Sequence, residues 1–290
     1  MSGARHLASK AGGGGVNGVG GVGSVGGVGG IGGVGGVDGA SDVGGVGVIC
    51  QTRGQTLRLT LNRPDEGNRL TVDMLAAIAN AIRGIDDSSV RAVVIDANGP
   101  DFCLGGELGR FWEMSLSDIE RFANTFIDML LRIRGCAAPV ILSAAGRVWG
   151  GGMCLLDAAD IAIVSGNVSI AVPEVLGGRP PVLSFMGAYR NIPEKTLMRM
   201  ALSGEGLGAA EALRLGLVSA VADSAAEQAA LCEEYVNMAE RASQNPAGVI
   251  KELRVAADGS EYERQLRAAG ALLPKALLSG QPTGQGGENE

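Results

Sequence analysis

Histidine is nearly absent from this 290-residue chain: its one imidazole, His6, stands in the glycine-rich first part. That removes a Ser-His-Asp or Cys-His site, a histidine-ligated metal and a histidine general base from the folded portion. The five cysteines, Cys50, Cys103, Cys136, Cys154 and Cys232, are odd in number and contain no CxxC pair, which argues against a disulfide framework or a zinc knuckle. No metal is expected, and a reducing compartment, the cytoplasm, fits best. Uninterrupted apolar runs stay short of the roughly 20 residues that cross a bilayer, so no membrane partner is expected. Positive charge is also scarce. A net charge of −7 repels phosphate backbones and argues against nucleic acid as a partner.

What the chain has in excess is glycine, 48 residues, concentrated before position 50 where it alternates with valine. Such a segment has little to bury, so residues 1–46 are expected to be a disordered leader. It contains a GxGxxG match at Gly18, Gly20 and Gly23, but no strand precedes it and no helix follows, so a dinucleotide-cradling geometry has nowhere to form.

Beyond the leader, Thr56 to Leu61 alternates as a strand and Asn62-Arg63-Pro64-Asp65 closes it. Thr71 is placed to cap a helix whose Met74, Leu75, Ile78, Ala81 and Ile82 recur at helical spacing. Val90 to Asp96 reads as a buried strand, Ser117 to Arg134 as an amphipathic helix and Val140 to Ala145 as another buried strand. Gly150 to Gly152 opens a short helix. Asp160 to Ser165 and Val168 to Val172 read as strands, and the chain from about Glu194 is mainly helical. Strands alternating with helices predict an α/β core with parallel pairing, followed by a helical C-terminal portion.

Two glycine turns stand where strands give way to helices: Phe102-Cys103-Leu104-Gly105-Gly106-Glu107 and Gly150-Gly151-Gly152. Glycine permits close approach, and a helix start offers unpaired amides that, if aimed at one point, stabilise an oxyanion. Taken alone, glycine clusters more often make turns or tight packing. Glu174 follows Pro173 at the end of an apolar alternating run, where burial disfavours the charged carboxylate and suits it to proton exchange. The bland reading is a solvated loop glutamate.

Taken in order, the segments LTLNRPDEGNRLT, FCLGGEL, PVILSAAGRVWGGGMCLLDAADIAI, VPEVLGG and ALSGEGLGAAEALRLGLVSAV resemble the crotonase, or enoyl-CoA hydratase/isomerase, superfamily over roughly residues 47 to 280. The resemblance implies a crotonase-like spiral of ββα repeats over 47–203, a helical trimerisation region over 204–280 and a tail at 281–290. It further implies a homotrimer or homohexamer acting on an acyl-CoA or acyl-carrier-protein thioester. Coenzyme A enters as part of the substrate and no separate cofactor is needed. Carried over, the oxyanion amides are those of Gly106 and Gly151, and Glu174 is the acid and base. Leu104, Arg147, Trp149, Cys154 and Arg179 are pocket candidates by their nearness to these segments.

The family's hydratases carry a second glutamate where this chain has Cys154, which disfavours water addition and favours an enoyl-CoA isomerase with one carboxylate. A glutamate engineered at Cys154 is then expected to bring in some hydratase activity. The dehalogenase pattern fails, because Val182 stands where it has aspartate. An arginine such as Arg147 or Arg179 keeps decarboxylation of a carboxylated acyl thioester open beside hydration. A catalytically inactive binding protein is the reading from another class. Glu107 is expected in a structural hydrogen bond, and Asp157 and Asp160 at the junction of the short helix with the next strand.

Overall fold

The computed structural model of the chain describes residues 39–42, 45–85, 90–109, 113–242 and 246–278. The leader lies outside the described residues up to position 38, as does the tail at 281–290. Within the segment expected to lack structure, however, Gly39–Asp42 forms strand β1, antiparallel to β2 (Val48–Arg53). Pairing uses backbone groups that every residue carries, so a composition poor in large side chains does not forbid it. β2 turns through Gly54, at φ +56°, into the antiparallel β3 (Thr56–Leu61). That left-handed conformation suits a two-residue hairpin.

α1 (Val72–Arg83) starts where Thr71 Oγ1 accepts the Met74 amide at 3.1 Å, and it buries Met74, Leu75, Ile78 and Ile82. β4 (Ala92–Ala97) and α2 (Leu116–Gly135) follow, α2 capped by the Ser115 hydroxyl. Then come β5 (Val140–Ala144), β6 (Arg147–Trp149), α3 (Gly151–Ala158), β7 (Ile161–Ser165) and β8 (Ser169–Ala171). The C-terminal part runs α4 (Val182–Ala188), α5 (Glu194–Ser203), β9 (Leu207–Gly208), α6 (Ala209–Leu215), β10 (Ala220–Ala222), α7 (Ala225–Arg241), α8 (Pro246–Asp258) and α9 (Glu261–Leu278).

Seven strands form one sheet in the order β1-β2-β3-β4-β5-β7-β10, parallel from β3 onward. A smaller sheet, β6-β8-β9, is extended by single parallel bridges from Cys103 to Val148 and from Leu70 to Gly106. Each repeat therefore gives one strand to the large sheet, one short stretch to the small one, and then a helix. The place where the chain leaves the small sheet for the helix recurs on one side of the molecule, and both glycine turns occur there. α9 folds back against α2 and α4, burying Leu266, Leu273 and Leu277. Among the described residues no helix is long and apolar enough to cross a membrane.

Candidate active site

The first glycine turn is fixed by the Leu70 bridge: the Leu70 amide donates to the Gly105 carbonyl at 2.9 Å, and the Glu107 amide donates to the Leu70 carbonyl at 2.8 Å. With its two neighbours turned toward Leu70, Gly106 presents its own N–H to the opposite side. Gly105 reaches this shape at φ +104°, which side chains rarely adopt. The second turn starts α3, where Gly150 at φ +52° makes Gly151 the first helical residue, so its amide has no intrahelical acceptor. The two turns touch. A Cβ on Gly105 would lie 3.6 Å from the Gly151 nitrogen, and one on Gly151 would lie 3.5 Å from the Gly105 carbonyl carbon. Among the described residues no backbone carbonyl accepts from the Gly106 or Gly151 amide. Both glycines line a cavity of about 50 Å³ whose apolar wall includes Phe122, Phe126, Leu273 and Leu277. The aromatic pair stacks with centroids 5.9 Å apart.

Glu174 enters the same cavity from the short 3₁₀ helix Pro173–Gly177 that follows β8. It lies against the second turn, since a Cβ on Gly150 would come within 2.9 Å of Glu174 Oε1. Ser184, buried on α4, donates its hydroxyl to that oxygen at 2.5 Å, whereas Oε2 is buried with no hydrogen-bond partner. Burial raises the Glu174 carboxyl above the usual range, opposed by the Ser184 hydroxyl, a backbone amide and the nearby Arg179. One carboxylate oxygen is thus tethered and the other is free to take a proton.

The sequence profile of the family described as enoyl-CoA hydratase/isomerase matches residues 51–275. The chain belongs to that family. A Danio rerio protein named enoyl-CoA hydratase domain-containing protein 3, mitochondrial, is 29% identical over 60% of this chain and 61% of its own length. The 2,3-dehydroadipyl-CoA hydratase of Escherichia coli is 29% identical over 60% of this chain and 68% of its own. The matched part therefore spans less than two thirds of the zebrafish relative. The crystal structure of an enoyl-CoA hydratase of Mycobacterium smegmatis superimposes with a TM-score of 0.69 at 28% identity, covering 78% of this chain and 90% of that one.

Within this enoyl-CoA hydratase/isomerase fold the sequence-derived candidates divide. Gly106, Gly151, Glu174 and Arg179 line the cavity, and Leu104, Arg147, Trp149 and Cys154 do not. Leu104 packs over Gly67, where a Cβ would come within 2.4 Å of its Cδ1. Arg147 is turned away by a two-pronged ion pair with Asp101, at 2.8 and 2.6 Å, and lies over the Trp149 ring. Trp149 instead donates its indole N–H to Ser169 at 3.3 Å. Glu107 is engaged in a structural ion pair with Arg63.

Cys154 is fully buried behind the site, its thiol directed at the Leu183 carbonyl, and burial holds its pKa well above the ordinary thiol value. The start of α3 does not offset that burial. A Cβ on Gly187 of α4 would stand 2.7 Å from the Cys154 sulfur, leaving no space for a longer side chain. Cys154→Glu is therefore predicted to disrupt packing rather than add a working carboxylate. Overpacking and a buried charge together cost roughly 3 kcal/mol or more. That lowers the melting temperature by at least about 6 °C, as thermal unfolding would measure.

Ser184 has no sequence motif to announce it. It lies ten positions beyond Glu174, after Pro180-Pro181, and the return of α4 to the cavity wall brings the two together. Because its hydroxyl favours the charged carboxylate, Ser184→Ala should raise the Glu174 pKa further. The acid limb of the kcat/KM profile then moves to higher pH, and turnover near neutrality falls roughly tenfold, the order of one charge-assisted hydrogen bond. An unmoved limb in the variant would remove Ser184 from the proton-transfer unit.

Proposed function

We propose that the chain is an enoyl thioester isomerase in which Glu174 alone carries the proton. The observation that supports this most is that Glu174 is the one carboxylate among the described residues lining the cavity, with one oxygen held by Ser184 and the other unpartnered. In this reading the thioester carbonyl lies between the Gly106 and Gly151 amides, and C2 of a 3-enoyl group faces Glu174 Oε2. The carboxylate removes a proton from C2. The two amides stabilise the dienolate oxygen, and the same carboxyl group returns the proton at C4, giving the conjugated 2-enoyl thioester. Hydration requires a second group to orient and deprotonate water, and Cys154, buried outside the cavity, does not supply one. The test is a side-by-side assay of 3-enoyl-CoA isomerisation and 2-enoyl-CoA hydration; isomerisation should be much the faster, and efficient hydration without isomerisation would refute the proposal.

A second reading has one observation behind it. Arg179 lines the same cavity as Glu174, and its charge acts on that carboxyl. An acyl chain ending in a carboxylate would be held there by a charge-assisted contact, a substrate class consistent with the name of the E. coli relative. Decarboxylation of such a substrate also falls under this reading. Coenzyme A or a carrier protein would deliver the thioester. A homotrimer or homohexamer is proposed as the assembly, in keeping with the apolar groove between α4, α5 and α9 and the exposed Leu176, Leu202 and Leu272 near it. Cysteines in the thiol form fit a cytoplasmic setting.

A further inference from the structure

A second cavity, of about 300 Å³, lies at the far end of α3 from the glycine turn, with Arg134, Asp157, Asn191 and Arg254 on its walls. Asp157 is only 5% exposed. Its Oδ1 accepts from the Asn191 amide, but Oδ2 is buried with no partner, and the Arg254 Nε on the same wall is also unsatisfied. Burial pushes the Asp157 carboxyl up to about 6, despite the Asn191 hydrogen bond and the charges of Arg134, Arg190 and Arg254. Buried polar atoms in native proteins are nearly always satisfied, so two orphans on one polar wall point to an occupant.

The charges specify that occupant. Arg190 is paired with Asp258, and Arg254 shares Asp160 with the buried Lys251. Arg134 stacks over the Tyr262 ring, 4.1 Å from its centre, and its guanidinium meets no carboxylate or carbonyl among the described residues. Four cations thus share three carboxylates in this cluster, Arg134 acting on Asp157 through charge alone, which leaves one positive charge in excess and one Asp157 oxygen without a donor. Water would satisfy Asp157 but leave the excess positive charge of the cluster unanswered. A simple carboxylate would answer Arg134 and be repelled by Asp157.

We propose that this cavity is a ligand site for a small oxyanion that carries its own hydroxyl donor, with the anionic group on Arg134 and the hydroxyl donating to Asp157 Oδ2. Hydroxycarboxylates and protonated phosphate share this chemistry. The volume accommodates a small oxyanion of this kind. The site is separate from the thioester cavity, lying at the other ends of α2 and α3, and does not depend on which reaction occurs there.

Calorimetric titration of the full chain at constant ionic strength with glycolate, acetate and inorganic phosphate tests the proposal. Glycolate or phosphate should bind saturably at one site, at least about tenfold tighter than acetate, since a lost hydrogen bond to a charged group is worth that much. The tighter of the two identifies the source. Arg134→Gln should weaken binding by about tenfold or more, and Asp157→Asn should erase the preference for glycolate over acetate. Should either variant fold poorly, protection of Arg134 in the wild-type protein from phenylglyoxal, read by peptide mass, gives the same answer: glycolate or phosphate protects and acetate does not. No saturable binding, equal affinity for acetate, or binding that survives Arg134→Gln would each overturn the assignment.

Discussion

Replacing Glu174 by glutamine will lower kcat by about 10²- to 10⁴-fold while leaving the affinity for the thioester within a few fold. The amide keeps the shape of the carboxyl group and accepts the Ser184 hydroxyl through its oxygen, so α4 and the 3₁₀ helix that carries residue 174 keep their contact. What is lost is the group able to bind and release a proton at the Oε2 position. No other carboxylate, and no imidazole, lines the cavity among the described residues, so nothing nearby takes over the transfer. Steady-state kinetics on a 3-enoyl-CoA measures the effect. A variant within about tenfold of the wild type would mean that a different group moves the proton.

The second large effect is expected at Gly151, where two substitutions separate the amide hydrogen from the side chain. Alanine keeps the N–H and adds a Cβ that would lie 3.2 Å from both Leu70 Cδ1 and Phe126 Cε2, a tight fit against the ends of two buried side chains. Proline adds a similar Cβ and removes the N–H. At the first position of a helix that loss breaks no backbone hydrogen bond, and proline is favoured there. The difference between the two variants therefore reports the position of the amide hydrogen, which proline both removes and fills with its ring Cδ. If that amide holds the developing oxyanion, Gly151→Pro should fall below Gly151→Ala by about 10²- to 10³-fold in kcat, the usual loss of one such donor. Melting temperatures of the two should be similar. Equal turnover in both would place the oxyanion elsewhere.

The parts of this fold legible in the sequence are those whose signals are local. Thr71 capping α1, the apolar spacing of α2 and the glycine triplet that opens α3 each depend on residues within one or two helical turns. Glu174 was accessible for the same reason, because Pro173 ends the run that precedes it. α4 was not: Pro180 and Pro181 read as loop, and a helix of seven residues has too few turns to show a period. Ser184 was therefore missed, although it touches the central carboxylate. Arg147 and Cys154 failed as pocket residues through distant partners, Asp101 for one and Gly187 for the other, which no spacing along the chain reveals. The hairpin strand β2 was missed because its residues are mostly half-buried and lack an alternating pattern.

The most direct measurement follows a single hydrogen. A 3-enoyl-CoA carrying deuterium at C2 is converted in ordinary water, and the product is examined by mass spectrometry and NMR for label at C4. One carboxyl group in a narrow, largely apolar cavity should return part of the hydrogen it removes before solvent exchanges it, so deuterium is predicted at C4 in the wild type, with Glu174→Gln forming almost no product. A conjugated product with no deuterium at C4, formed at comparable rates by wild type and Glu174→Gln, would contradict the account.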